Sequence, residues 1–125
     1  MTSSVTAWHQ LPHAPALGTR LCAWADLEDG GIRMLALGPE PKPFRLLLLR
    51  SGLQFHAFVN RCAHFGVPLA AQPQHLIFEP HVSFSCNVHY ARYDWRDGRC
   101  LGGDCDGEGL LPVPVRVQGD DLCIG

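Results

Sequence analysis

Four side chains in this 125-residue sequence stand at spacings suited to metal chemistry. The stretch "NRCAHFG" places Cys62 and His64 one residue apart, and "SCNVHY" places Cys86 and His89 two residues apart. Each pair offers one thiolate sulfur and one imidazole nitrogen from a short piece of chain, so no long loop has to close to bring the two together. Two thiolates and two imidazoles suit either a tetrahedral zinc or an iron–sulfur cluster. Structural zinc sites more often group two cysteines and then two histidines. A single zinc gives no reason for the alternation seen here. A two-iron cluster does, because matching cysteines can take one iron and the two histidines the other. A Cys/His nucleophilic dyad would need a third, orienting group, and none is evident. The sequence holds no Gly-rich phosphate loop, serine elbow or paired-carboxylate motif.

The elements that must position these residues read as β-structure. Residues 1–20, with Pro12, Pro15 and Gly18, form a loosely ordered lead-in, and residues 21–125 read as one domain. Short apolar segments separated by Gly, Pro and Asp predict strands at Leu21–Ala25, Ile32–Leu37, Val82–Cys86, Tyr90–Asp94, Arg99–Leu101, Val113–Val117 and Leu122–Ile124. The clearest hairpin is Phe44–Arg50 with Leu53–Val59, turning at Ser51-Gly52. In its second arm Leu53, Phe55, Ala57 and Val59 share one face. Gln54, His56 and Phe58 share the other, with Phe58 an apolar exception. Tight turns are expected at Trp95–Arg99 and Gln118–Asp121, and a single helical turn within Ala25–Gly30. No helical period persists over three turns. Some eight short strands predict a small all-β, antiparallel sandwich or barrel. Cys62 and His64 then follow one strand end, Cys86 and His89 span a strand-to-strand connection, and the two loops can meet at one end.

Composition narrows the partners. A net charge of −2 makes no electrostatic case for nucleic acid or an anionic membrane. The longest apolar run, Leu46 to Leu49, is far too short to span a bilayer. The N-terminus lacks a basic region followed by an apolar stretch, so the expected location is cytoplasmic. A disulfide framework is therefore not expected of the six cysteines. Cys22 and Cys123 read as core residues of strands, Cys100 as a buried thiol and Cys105 as an exposed loop thiol. His9, His13, His56, His75 and His81 read as surface histidines.

"CAHFG" and "CNVH" resemble the two boxes of the Rieske [2Fe–2S] proteins, Cys-x-His-x-Gly and Cys-x-x-His. The resemblance extends through "CAWADLEDGG" (Cys22–Gly31), "HAFVNRCAH", "YDWRDGRCLGG" (Tyr93–Gly103) and "LLPVPVRVQGDDLCI" (Leu110–Ile124), covering about residues 21–125. It implies a Rieske-type antiparallel β-sandwich, with a cluster-binding subdomain of two loops at one end. It also implies one [2Fe–2S] cluster, with Cys62 and Cys86 on the inner iron and His64 and His89 on the outer one. Neutral imidazoles in place of thiolates ease reduction, giving roughly −150 to +300 mV for such centres against about −400 mV for all-Cys clusters.

Residues around the boxes carry further implications of the resemblance. Gly66 lets the first loop turn. Val67 and Val88 stand where high-potential members carry a bridging disulfide, and Ala91 stands where they carry a serine. Tyr93 matches their tyrosine that bonds to a ligand sulfur. Tyr90 and Asn87 replace the family's usual Gly and Pro, and 21 residues, Phe65 to Ser85, separate the boxes. With few donors to the sulfurs, the resemblance implies a low-potential ferredoxin-type centre. The chain is then an electron-transfer component, not itself an enzyme. It would accept electrons from a flavin or NAD(P)H-dependent reductase and pass them to a terminal oxygenase. Transient docking would occur at a cluster tip rimmed by Phe65, Val67, Pro68, Val88 and Tyr90. The ring N–H groups of His64 and His89 imply a potential that falls as pH rises. Two other readings stay open: a small Rieske subunit of a larger reductase such as a nitrite reductase, and a zinc-bound or cluster-free interaction module.

Overall fold

The computed structural model describes residues 8–10, 13–39, 43–60, 77–85, 92–102 and 109–125. Its strands are β1 (Arg20–Ala23), β2 (Ile32–Leu37), β3 (Phe44–Ser51), β4 (Gln54–Val59), β5 (Ile77–Glu79), β6 (Ser83–Ser85), β7 (Arg92–Asp94), β8 (Cys100–Gly102), β9 (Val115–Gln118) and β10 (Asp121–Ile124). Among the described residues these strands pair antiparallel, in three sheets ordered β1-β10-β9, β2-β3-β4 and β5-β6-β7-β8. The all-β expectation holds, and β2 falls where the pattern placed it.

The run Leu46–Leu49 explains the arrangement. All four leucines are fully buried, and successive side chains of a strand point to opposite faces. Leu46 and Leu48 pack with Phe44, Ala57, Val59, Leu122 and Ile124 against the β1-β10-β9 sheet. Leu47 and Leu49 pack with Phe58, Phe84, Tyr93 and Trp95 against the β5–β8 sheet. The β2-β3-β4 sheet is thus buried on both faces, which is what a continuous apolar run in a strand signifies. This alters the reading of β4. Phe58 is no exception on a polar face but a member of the second core.

Small corrections follow from hydrogen bonding. Ser51 pairs with Gln54, so the hairpin turns at Gly52-Leu53, one residue later than expected. Gly52 supplies the positive φ of +60° that the first turn position needs. Strand β5 lies where no strand was expected. The expected helical turn is a 3-10 turn at Trp24–Asp26. Ahead of β1, Trp8 sets its ring edge-on against Phe44 at 6.4 Å, and Gly18 N donates to Ile124 O at 2.7 Å.

Two ties join the sheets outside the cores. Val59 N donates to Leu111 O and Val113 N to Ala57 O, clamping the free edge of β4 against residues 111–113. Ser51 Oγ lies 2.7 Å from His81 Nδ1, linking the β3–β4 turn to the β5–β6 turn.

Candidate metal centre

Three chain ends determine where the two boxes begin and finish. Strand β4 ends at Val59, and the buried Asn60 donates its backbone N–H to Arg45 O at 2.9 Å. Cys62 lies two residues beyond Asn60. Strand β6 ends at Ser85, immediately before Cys86, and β7 starts at Arg92, three residues after His89. The predicted residues Cys62, His64, Gly66, Cys86, His89, Tyr90 and Ala91 lie outside the described residues. So do His75 and Cys105. Tyr93 lies within them and is fully buried.

A stack of aromatic rings holds these three ends together. Phe58, two residues before Asn60, lies 5.9 Å from the ring of Phe84. Phe84, one residue before Ser85, lies 5.8 Å from Tyr93, its cross-strand partner and the neighbour of Arg92. All three side chains are at most 1% exposed. Such rings carry a large apolar burial and pack in tilted geometries that resist sliding. The chain entering the first box and both feet of the second are therefore rooted in one rigid cluster. Sequence reading missed Phe58 and Phe84, although the period-two placement of Phe58 on β4 was the available signal.

By residue type, each box offers one sulfur and one nitrogen, the donor set of a centre where thiolates hold one iron and imidazoles the other. Elsewhere, burial pushes the Cys22 thiol above its usual pKa, opposed by Arg33. Burial and then Arg96 push His56 below its usual value, opposed by Asp94. Cys22 and Cys123 are free and buried, as strand residues of the core should be. Cys100, expected as a thiol, is disulfide-bonded. Pairing depends on which cysteines the fold brings together, and composition does not encode that. His56, expected at the surface, is half-buried with Nε2 shielded from solvent.

The Rieske [2Fe–2S] domain matches residues 19–116, a span containing both boxes, and the chain belongs to that family. Membership carries with it a Rieske-type [2Fe–2S] cluster as the cofactor. Comparison with curated proteins finds no match. Among solved structures, the chain is similar to the ferredoxin of carbazole 1,9a-dioxygenase from Nocardioides aromaticivorans IC177. Identity is 19%, with a TM-score of 0.66, over 88% of this chain and 98% of that one. The ferredoxin of Sphingomonas yanoikuyae B1 is similar at 20% identity and TM-score 0.64, over 86% of this chain and 96% of that one. A chain in the complex of reduced oxygenase and oxidized ferredoxin of carbazole 1,9a-dioxygenase aligns at 20% identity and TM-score 0.69, over 87% and 93%. At these identities the likeness establishes the fold. Among the described residues, no helix is long and apolar enough to cross a membrane.

Proposed function

We propose that this chain is a one-electron carrier whose Rieske cluster is held by Cys62 and Cys86 on one iron and His64 and His89 on the other. The observation that carries the reading is the family match across residues 19–116, which includes both boxes in the right order. When bound, the cluster supplies reversible one-electron chemistry at a potential set by its ligands and the hydrogen bonds to its sulfurs. The chain's own part is to root the strands that lead into the boxes on the buried Phe58–Phe84–Tyr93 stack. Ala91 brings no hydroxyl, and Tyr93 is the one side-chain donor carried over from the family pattern, so the potential belongs at the low end of the class.

The partners we assign are a flavin or NAD(P)H-dependent reductase as donor and a terminal oxygenase as acceptor. Solved ferredoxins of carbazole 1,9a-dioxygenase share the fold, and one is in complex with its oxygenase, which supports this pairing. Similarity to the terminal oxygenase from Nocardioides aromaticivorans IC177, where the match spans 29% of that longer chain, favours a second reading. In that reading the domain works as a fixed part of a larger oxidoreductase. Copurification as a stable complex supports the second reading, and a free chain reduced by an added reductase supports the first.

The deciding experiment is the low-temperature EPR spectrum of dithionite-reduced protein, with iron, sulfide and zinc assayed on the same sample. A Rieske-type signal with about two irons and two sulfides per chain supports the carrier. Zinc, or no metal after anaerobic preparation, sinks it in favour of an interaction module.

A further inference from the structure

Among the described non-glycine residues only His13 and His81 adopt positive φ, and His81 does so, at +67°, in the turn between β5 and β6. A residue with a Cβ holds that backbone only where its surroundings fix it. Here three segments do. Ser51 Oγ, at the end of β3, lies 2.7 Å from His81 Nδ1. Asp29 Oδ1, ahead of β2, lies 3.8 Å from Nε2 and accepts from Gly52 N at 2.7 Å. A Cβ on the adjoining Gly30 would lie 3.1 Å from Nε2, so glycine leaves the room that the ring fills. The ring also stands 5.9 Å from that of Trp95, just after β7. A carboxylate near Nε2 favours the tautomer that carries its proton there, which leaves Nδ1 to accept from the Ser51 hydroxyl.

The place of this clasp in the fold gives it a role. The β3–β4 hairpin leads into the first box and the β5–β6 hairpin into the second, because β4 ends at Val59 and β6 at Ser85. Phe58 and Phe84 bring those leading ends together. Ser51 and His81 join the same two hairpins at their opposite ends, where they turn. Ser51 pairs with Gln54, and Phe58 lies four residues further along β4, which is about 13 Å at the rise of a strand. Two hairpins held at one point can still swivel about it. Held at two points that far apart, they cannot. We propose that His81 is a positioning residue for the metal centre, whose clasp with Ser51 and Asp29 fixes the angle between the two hairpins and so the alignment of the boxes they carry. This role rests on the carrier reading and belongs to a residue outside both boxes.

An exposed setting limits what the clasp adds to global stability. The His81 and Asp29 side chains are 48% and 61% exposed, where such a pair contributes little. Alignment is a separate matter. The potential and spectrum of a Rieske centre depend on how its ligands are oriented and on the hydrogen bonds to its sulfurs. Loss of the clasp should therefore register at the cluster more than in the unfolding curve. Position 81 suits such a test, since glycine takes positive φ without strain. His81→Gly removes the clasp while relieving the backbone, so a misfolded turn is not the expected result.

The test uses the cluster-loaded protein. His81→Gly and Ser51→Ala should each broaden the EPR signal of the reduced cluster and displace its reduction potential in the same direction. Each should also release iron to a chelator about 5- to 10-fold faster than wild type, as expected when one lost hydrogen bond raises the population of a locally opened state. The double variant should be no worse than His81→Gly, because either change breaks the same bond. Ser51→Thr keeps the hydroxyl and should retain the wild-type spectrum, potential and release rate. Wild-type behaviour of both His81→Gly and Ser51→Ala overturns the proposal, and so do additive effects in the double variant. Cluster effects that only track an equal loss of stability in urea unfolding overturn it as well. A wild type that holds no iron–sulfur cluster sinks the carrier reading itself, whereas a loaded wild type indifferent to the clasp sinks the positioning role alone.

Discussion

Single atoms set the tolerance of the aromatic stack. Gly98 has φ +73°, and a Cβ there would lie 2.7 Å from Phe58 Cε1 and 2.8 Å from Cδ1. Gly98→Ala must strain the backbone and displace the ring that begins the stack. We expect a loss of about 2 kcal/mol or more by urea unfolding, together with a lower iron content after expression. Wild-type stability and full iron loading would show that the ring has room to move. Tyr93→Phe keeps the ring and removes only the hydroxyl. On the proposed assignment its reduction potential becomes more negative while stability changes little, and voltammetry of the loaded variant reads this directly. An unchanged potential would remove Tyr93 from the hydrogen bonding of the cluster. Arg50 is held by Leu27 O and Gly52 O, both at 2.8 Å, and lies over the rings of Trp24 and Phe55. Arg50→Ala should cost about 2 kcal/mol by denaturant unfolding, because packing and charge-assisted hydrogen bonds are lost together.

Among the elements, β3 has the most to lose. Its alternate leucines feed different cores, so each can be truncated with a distinct consequence. Leu47→Ala and Leu48→Ala should each cost about 3 kcal/mol, since both side chains are fully buried and the cavity cannot collapse freely. Only Leu47 packs in the core that roots the two boxes. Iron retention should therefore suffer more in Leu47→Ala than in Leu48→Ala at equal loss of stability. Equal retention in both would mean that the boxes do not depend on that core. The salt bridge Arg20–Asp121, at 2.9 Å, joins β1 to β10 on an exposed surface and contributes far less than either leucine.

Over the whole molecule, the described members of both cores lie outside the two boxes, and most of them are strand residues. Removing iron and sulfide should therefore leave the β-sheet signature in far-UV circular dichroism. Tm should fall by several degrees, because a group bound only by the folded state stabilises that state. Complete loss of sheet signal on cluster removal would mean that the metal centre builds the fold rather than sitting upon it. The three-layer arrangement also explains how a small protein of this kind can hold two box-bearing loops. The doubly buried middle sheet presents β4 to β6 and β7 through one apolar interface.

The sequence by itself determined the class. Cys62, His64, Cys86 and His89 offer sulfur and nitrogen donors at the spacing of the proposed centre, and Ile32–Leu37 and the Phe44–Val59 hairpin declare strands by local pattern. Those signals are short-range, so no fold is needed to read them. The tertiary structure decided which residues meet. The two faces of Leu46–Leu49 serve different cores, and Phe58 joins Phe84 and Tyr93. Each of these is a contact between segments distant along the chain. Strand alternation says only which side a residue faces, and it is the packing of sheets that decides what it finds there.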